Sequence, residues 1–179
     1  MSGAKRDLAA ESWAFALQVY AEPGVGAACL RLQAEAGVDV MMLLVAAFAA
    51  ARCGVVVSPL DVQQMDAVCR PWRERVVQPL RALRVALKSG PAPAPSPGAE
   101  KLRSQIKVSE LAAERLENDL LADWLQCKAA VSSAVAIDDL HSVLRDVVRF
   151  AMERRDGQAI VEVGATIDEI AAVVRRISA

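Results

Sequence analysis

Val40 to Ala51 is an unbroken run of twelve apolar residues, closed by Asp39 on one side and Arg52 on the other. A helix crossing a bilayer needs about twenty such residues, so this run is too short to span one. A helix that is apolar all round is instead buried on every side, and other elements must be wrapped around it. The rest of the chain is built to do that. Of 179 residues, 54% are apolar but only 4% aromatic, and the excess is mostly Ala, Val and Leu. Ala and Leu favour helices over strands, and a chain of this length hides roughly 70% of its unfolded surface. The expected fold is all-α: a compact, irregular bundle of seven or eight helices around a central apolar helix.

Local signals divide the chain. A first helix is expected from about Asp7 to Glu22, with Trp13, Leu17 and Tyr20 on one face and Pro23-Gly24 as its stop. A second runs from Val25 to Ala36, ended by Gly37, and a third follows Asp39. Val55 to Val57 is read as an extended connector. Ser58-Pro59-Leu60-Asp61 opens a fourth helix with a capping serine and a proline in the first turn. That helix is expected to end near Arg70, and Pro71 to open a fifth reaching Lys88. Pro79 lies inside this fifth helix and should kink or break it near Gln78.

Ser89 to Gly98 reads SGPAPAPSPG and is expected to be an extended polyproline II linker. Glu100 to about Ser133 has helical periodicity, with Leu102, Ile106, Ala113, Leu120 and Trp124 on one stripe. Asp138-Asp139 should open a helix to Arg155, Gln158 to Val163 is a lone strand-like stretch, and Thr166 to Glu169 reads as a capping box for a final helix to Ile177. Three segments result: 1–88, an N-terminal helical core; 89–99, a Pro/Ala-rich linker; and 100–179, a long helix plus a C-terminal extension packed on the core as one globular unit. The apolar Val143, Val147, Phe150, Ile167, Ile170 and Val174 need a partner surface, either this core or a second copy.

An ordered set of short motifs is similar to a known family. It comprises W-A-F-A-L-Q-V-Y from Trp13, P-G-V from Pro23, A-C-L-R-L-Q from Ala28 and G-V-D-V-M-M-L-L from Gly37. It continues with P-W-R from Pro71, P-L-R-A-L-R from Pro79 and S-E-L-A-A-E-R from Ser109. From about Trp13 to Trp124 the chain resembles a family of uncharacterised bacterial proteins, a domain of unknown function. The resemblance implies a cytosolic helical domain and brings no activity or cofactor with it.

Net charge is −1, so no global field draws the protein to nucleic acid or an anionic surface. The polar opening from Met1 to Ala10 is unlike a secretory leader. Cys29, Cys53, Cys69 and Cys127 are widely spaced without a CxxC pair, as expected of reduced, mostly buried thiols in a cytoplasmic protein. The single histidine, His141, offers little for nucleophilic catalysis, and no Glu-x-x-His pair suggests a metal. No catalytic residue, metal or cofactor is expected.

One constellation stands out. Between Arg70 and Lys88 six cations face the single acid Glu74. At about 100° per residue, Arg70, Arg73, Arg81, Arg84 and Lys88 fall within roughly 80° of one another. The structural reading pairs Arg84 with Glu110 and Arg81 with Glu114 across a helical hairpin. The functional readings use Arg73, Arg81 and Arg84 to grip an anionic small molecule, with Gln33 and Asp39 as a polar pocket floor, or use the same stripe with Trp72 on nucleic acid. Because reactive groups do not converge, the leading expectation is a non-catalytic accessory or protein-interaction protein that works through helix faces on a partner or on itself. The binding module or enzyme for an anionic ligand comes second, and nucleic-acid binding third.

Overall fold

The computed structural model describes residues 7–129, 140–154 and 163–178. Among these the chain is helical: α1 (Leu8–Ala21), α2 (Val25–Ala36), α3 (Val40–Cys53), α4 (Pro59–Trp72), a π-helical turn (Arg73–Val77), α5 (Gln78–Ala86), α6 (Pro97–Ala129), α7 (Leu140–Glu153) and α8 (Gly164–Ser178). The expected all-α bundle is what forms. Because α4, the π turn and α5 follow without a break, they make a single long rod, and no described residue is in a strand.

Most ends lie where local chemistry puts them. Asp7 caps α1 by accepting from the Ala10 N–H at 3.0 Å, and Asp39 caps α3 by accepting from Met42 at 2.9 Å. Ser58 and Asp61 form a reciprocal capping box at α4. Gly37 and Gly54 close α2 and α3 at φ of 70° and 63°, backbone that a Cβ would strain.

Other ends correct the sequence reading. Pro71 does not start a helix but lies inside α4. The disturbance expected at Pro79 takes the form of the π turn just before it, where Gln78 N–H reaches back five residues to the Arg73 carbonyl. Proline supplies no N–H and crowds the preceding turn, and widening that turn relieves both without breaking the rod. Residues 89–96 turn instead of extending, with Ala94 N–H donating to the Pro91 carbonyl at 2.9 Å. Ten residues joining two antiparallel, packed helices have to reverse direction. Thr166 is not a cap: α8 has already begun at Gly164, and Ile167 N–H bonds the Val163 carbonyl at 3.0 Å. The expectations at Asp138-Asp139, Arg155 and Gln158 to Glu162 lie outside the described residues.

Every residue of α3 from Met41 to Ala51 is buried. Its main neighbours are α1, α2, α6, α7 and α8, so the covering comes as much from the C-terminal helices as from the N-terminal ones. Val143, Val147, Ile167, Ile170 and Val174 are buried in that same core, with Phe150 against it. The apolar positions of the C-terminal segment thus find their partner surface within this chain. No described helix is long and apolar enough to cross a membrane.

Two faces differ from expectation. On α1 the core side is Leu8, Ser12, Phe15, Ala16 and Val19, while Leu17 and Tyr20 are exposed. On α6 the buried side includes Ile106 and Ala113 but also Glu110, Glu117 and Asn118, while Leu102 is exposed. Two polar groups of the α1–α6 seam satisfy each other. Ser12 donates to Asn118 Oδ1 at 2.8 Å, and Asn118 Nδ2 donates to the Ala9 carbonyl at 2.9 Å, which pins α6 against α1.

Candidate functional site

A cleft of about 850 Å³ opens between α1, α2 and the start of α3 on one side and the α4–α5 rod with α6 on the other. All five residues singled out from sequence line it: Gln33, Asp39, Arg73, Arg81 and Arg84. So do Leu17 and Tyr20, which the core leaves exposed, and Trp13, which also packs against the core. Much of the wall is apolar, and the floor is charged.

Asp39 serves two purposes. Gly37 turns the chain out of α2, so that Asp39 stands at the start of α3 with Oδ1 on the Met42 amide. Its Oδ2 accepts from Arg73 Nη1 at 2.8 Å. The other arm of Arg73 donates to Asp66 Oδ1, while Arg70 and Arg154 donate to Asp66 Oδ2. Asp66, Cys69, Arg70 and Arg73 are spaced three, one and three apart, which places them on one face of the rod formed by α4 and the π turn. That spacing was present in the sequence and would have flagged Asp66 as the partner of Arg73. Burial alone would disfavour the charge on Arg73, but Asp39 and Asp66 outweigh it and hold the guanidinium firmly protonated.

Farther along the rod, Arg81 donates to Glu110 at 2.8 Å and to Glu114 at 2.5 Å, and Arg84 donates both Nε and Nη2 to Glu110. These are the hairpin ion pairs the sequence suggests, with Glu110 shared. The stripe is thus not one free ridge: Arg73 is committed to Asp39 and Asp66, and Arg81 and Arg84 to α6. Burial pushes Glu110 upward, but the hydrogen bonds from Arg84 and Arg81 prevail and hold its carboxyl below the ordinary range. Trp72 donates Nε1 to the Ala113 carbonyl at 2.9 Å, so its ring is tied into the α4–α6 seam and is not presented for stacking on a base.

The family model described as a protein of unknown function, DUF2390, matches residues 11–121. The chain belongs to the DUF2390 family. No curated protein and no solved structure matches it. The DUF2390 span holds the whole cleft floor apart from Arg154, together with the α1 wall.

Glu117 is a floor residue that was not singled out from sequence, although it lies three residues after Glu114 on α6. It lines the cleft, yet its exposure is 2%. Its Oε1 has no hydrogen-bond partner among the described residues and lies 3.9 Å from Arg73 Nη1. Burial, reinforced by the neighbouring Asp39 carboxylate, pushes its carboxyl up to about 9. Both effects favour the neutral carboxyl. Glu114, one turn earlier, is also raised, first by burial and against the pull of Arg81.

Asp39, Cys69 and Glu117 each bring one ligand atom within 4.8 Å of the others, a spacing that suits a metal ion. Arg73 already fills that place: its Nη1 sits 3.4 Å from Cys69 Sγ and 3.4 Å from Met42 Sδ as well as against Asp39. Burial also drives the Cys69 thiol upward, away from the thiolate a metal needs. The chain's own guanidinium is the resident cation. His141 stands elsewhere, between α7 and α8, paired with Asp168.

Proposed function

We propose that this DUF2390 protein is a small-molecule-binding protein that holds an amphipathic ligand in the cleft between α1 and the α5–α6 hairpin. One observation carries the reading: an apolar wall and a dense, almost fully paired charged floor face each other across one cavity. Binding sites for small molecules are typically of this size, largely apolar with a few placed polar groups. Core packing alone does not account for the wall, since Leu17 is 48% exposed and Leu30 56% exposed at its mouth.

Sequence reasoning put an accessory or protein-interaction role first. The cleft favours the ligand-binding alternative, and the C-terminal apolar positions that asked for a partner are met internally. Nucleic-acid binding has less support, because its arginines and Trp72 are engaged within the fold. The reading is of a cytoplasmic protein acting without a cofactor. It rests on the buried Cys29 and Cys69 thiols and on a cleft whose polar groups are set for recognition.

The test uses N-phenyl-1-naphthylamine, a neutral dye that fluoresces in apolar sites. Wild type should bind it saturably, with energy transfer from Trp13, and Leu17→Glu should weaken binding about tenfold or more by placing a charge on the wall. Leu17 faces solvent outside the core, so the variant still folds. Undiminished binding in Leu17→Glu and Val85→Glu alike would rule the cleft out.

A further inference from the structure

We infer that the ligand of this cleft carries a cationic, hydrogen-bond-donating head, a primary ammonium, seated between Glu114 and Glu117 with its apolar tail along α1; the inference rests on the cleft-binding reading above. The expectation from the arginine stripe was the reverse, an anion. Every guanidinium on the floor is already engaged: Arg73 by Asp39 and Asp66, Arg81 by Glu110 and Glu114, Arg84 by Glu110, and Arg154 by Asp66. At the buried floor an incoming anion has to displace a carboxylate that is then left in a poorly hydrated place without its partner; the lysines of the lining, Lys88 and Lys107, are exposed and offer only a solvated contact.

Hydrogen-bond acceptors, by contrast, are in surplus. Glu117 offers an oxygen with no donor on it. Glu114 gives Oε1 to Arg81 and lies three residues before Glu117, on the same face of α6. An ammonium brings three donors and one charge, enough to reach both carboxyls. The groups facing this position are Asp39 at the start of α3, Cys69 on α4, Arg73 on the π turn, Arg81 on α5, Glu110 on α6 and Tyr20 on α1. Only two of these six are cationic, and both already hold carboxylates. Burial and the neighbouring Asp39 carboxylate favour the proton on Glu117, and Arg73, its nearest cation at 3.9 Å, only partly opposes them. An ammonium supplies a closer cation. Opposite, Leu17 and Tyr20 leave apolar surface open beside Trp13, along which a tail is held.

The experiment is calorimetric titration of the full chain with three probes of identical tail: octylammonium, octanol and octanoate. At about pH 8, octylammonium should bind about tenfold or more tighter than octanoate. Its affinity should climb by up to about tenfold per pH unit toward pH 9 as Glu117 becomes easier to ionise, with a proton released on binding. Glu117→Gln keeps the shape but removes the charge. It should flatten the pH dependence and bring octylammonium within about threefold of octanol. Glu114→Gln, at a half-buried position, should show the same loss of preference and secures the comparison should Glu117→Gln fold poorly. If octanoate binds as well as octylammonium, or the pH slope survives in Glu117→Gln, the head-group assignment falls while the cleft stands. If none of the three probes binds, both fall.

Discussion

At the scale of single residues, Glu117 is a destabilising element kept inside a stable molecule. In the unfolded chain its carboxyl ionises near 4.5, whereas in the folded chain it holds its proton up to about 9. Between those values the unfolded state binds fewer protons than the folded one, so this group's contribution to stability falls as pH rises. Glu117→Gln removes the titration. The melting temperature of the variant relative to wild type should be nearly level at about pH 4.5 and rise steadily toward pH 8. A constant offset across that range would mean that Glu117 is not a buried neutral acid. Such a residue is hard to see in a sequence. Glu110, Glu114 and Glu117 look alike at three- and four-residue spacing, yet Glu110 is held below its ordinary range by Arg84 and Arg81, and Glu117, which those arginines do not reach, is raised.

At the scale of elements, the α5–α6 hairpin is held differently from the rest. No residue of α5 is buried, and the helix is fastened to α6 by Arg81 and Arg84 on Glu110 and Glu114. Charge pairs of this kind weaken as salt shortens their range to about 3 Å at 1 M. Hydrogen exchange in 1 M sodium chloride should therefore open the amides of 78–86 while those of α3 stay protected. Glu110→Gln should do the same at low salt, speeding exchange there about tenfold or more through loss of hydrogen bonds to a charged acceptor. Equal slowing or quickening in α3 and α5 would show that the hairpin is not a separate unit. The ends of the helices were legible because caps are local: Asp7, Gly37, Asp39, Gly54 and Ser58 each act within a few residues. The π turn was not. Pro79 announces a disturbance but not its form, and packing of the rod against α6 favours a widened turn over a break.

For the whole molecule, the family match and the core have different limits. DUF2390 ends at 121, but α7 and α8 lie on α3 and contribute Leu140, Val143, Leu144, Val147, Ile170 and Val174 to the core. Each such side chain is worth about 1.5–3 kcal/mol when buried, so the six together contribute about 9–18 kcal/mol, comparable to the roughly 5–15 kcal/mol by which a domain is stable. Residues 1–129 alone should lack a cooperative thermal transition and self-associate on gel filtration. A sharp melt close to that of the full chain would mean that α7 and α8 are accessories to a self-sufficient family unit.

The amino-acid order by itself determined that this is a helical bundle, where α1 to α3 begin and end, and that Val40 to Ala51 lies at the centre. Caps and a 3.6-residue period act over a turn or two, and a rod apolar on all sides has only one place to go. Folding in three dimensions decided the site. Arg73 meets Asp39 across 34 positions of sequence, Leu17 and Tyr20 become a cleft wall instead of core, and burial drives Glu117 toward its protonated form. Those outcomes depend on which distant atoms share a poorly hydrated space, and no periodicity along the chain encodes that.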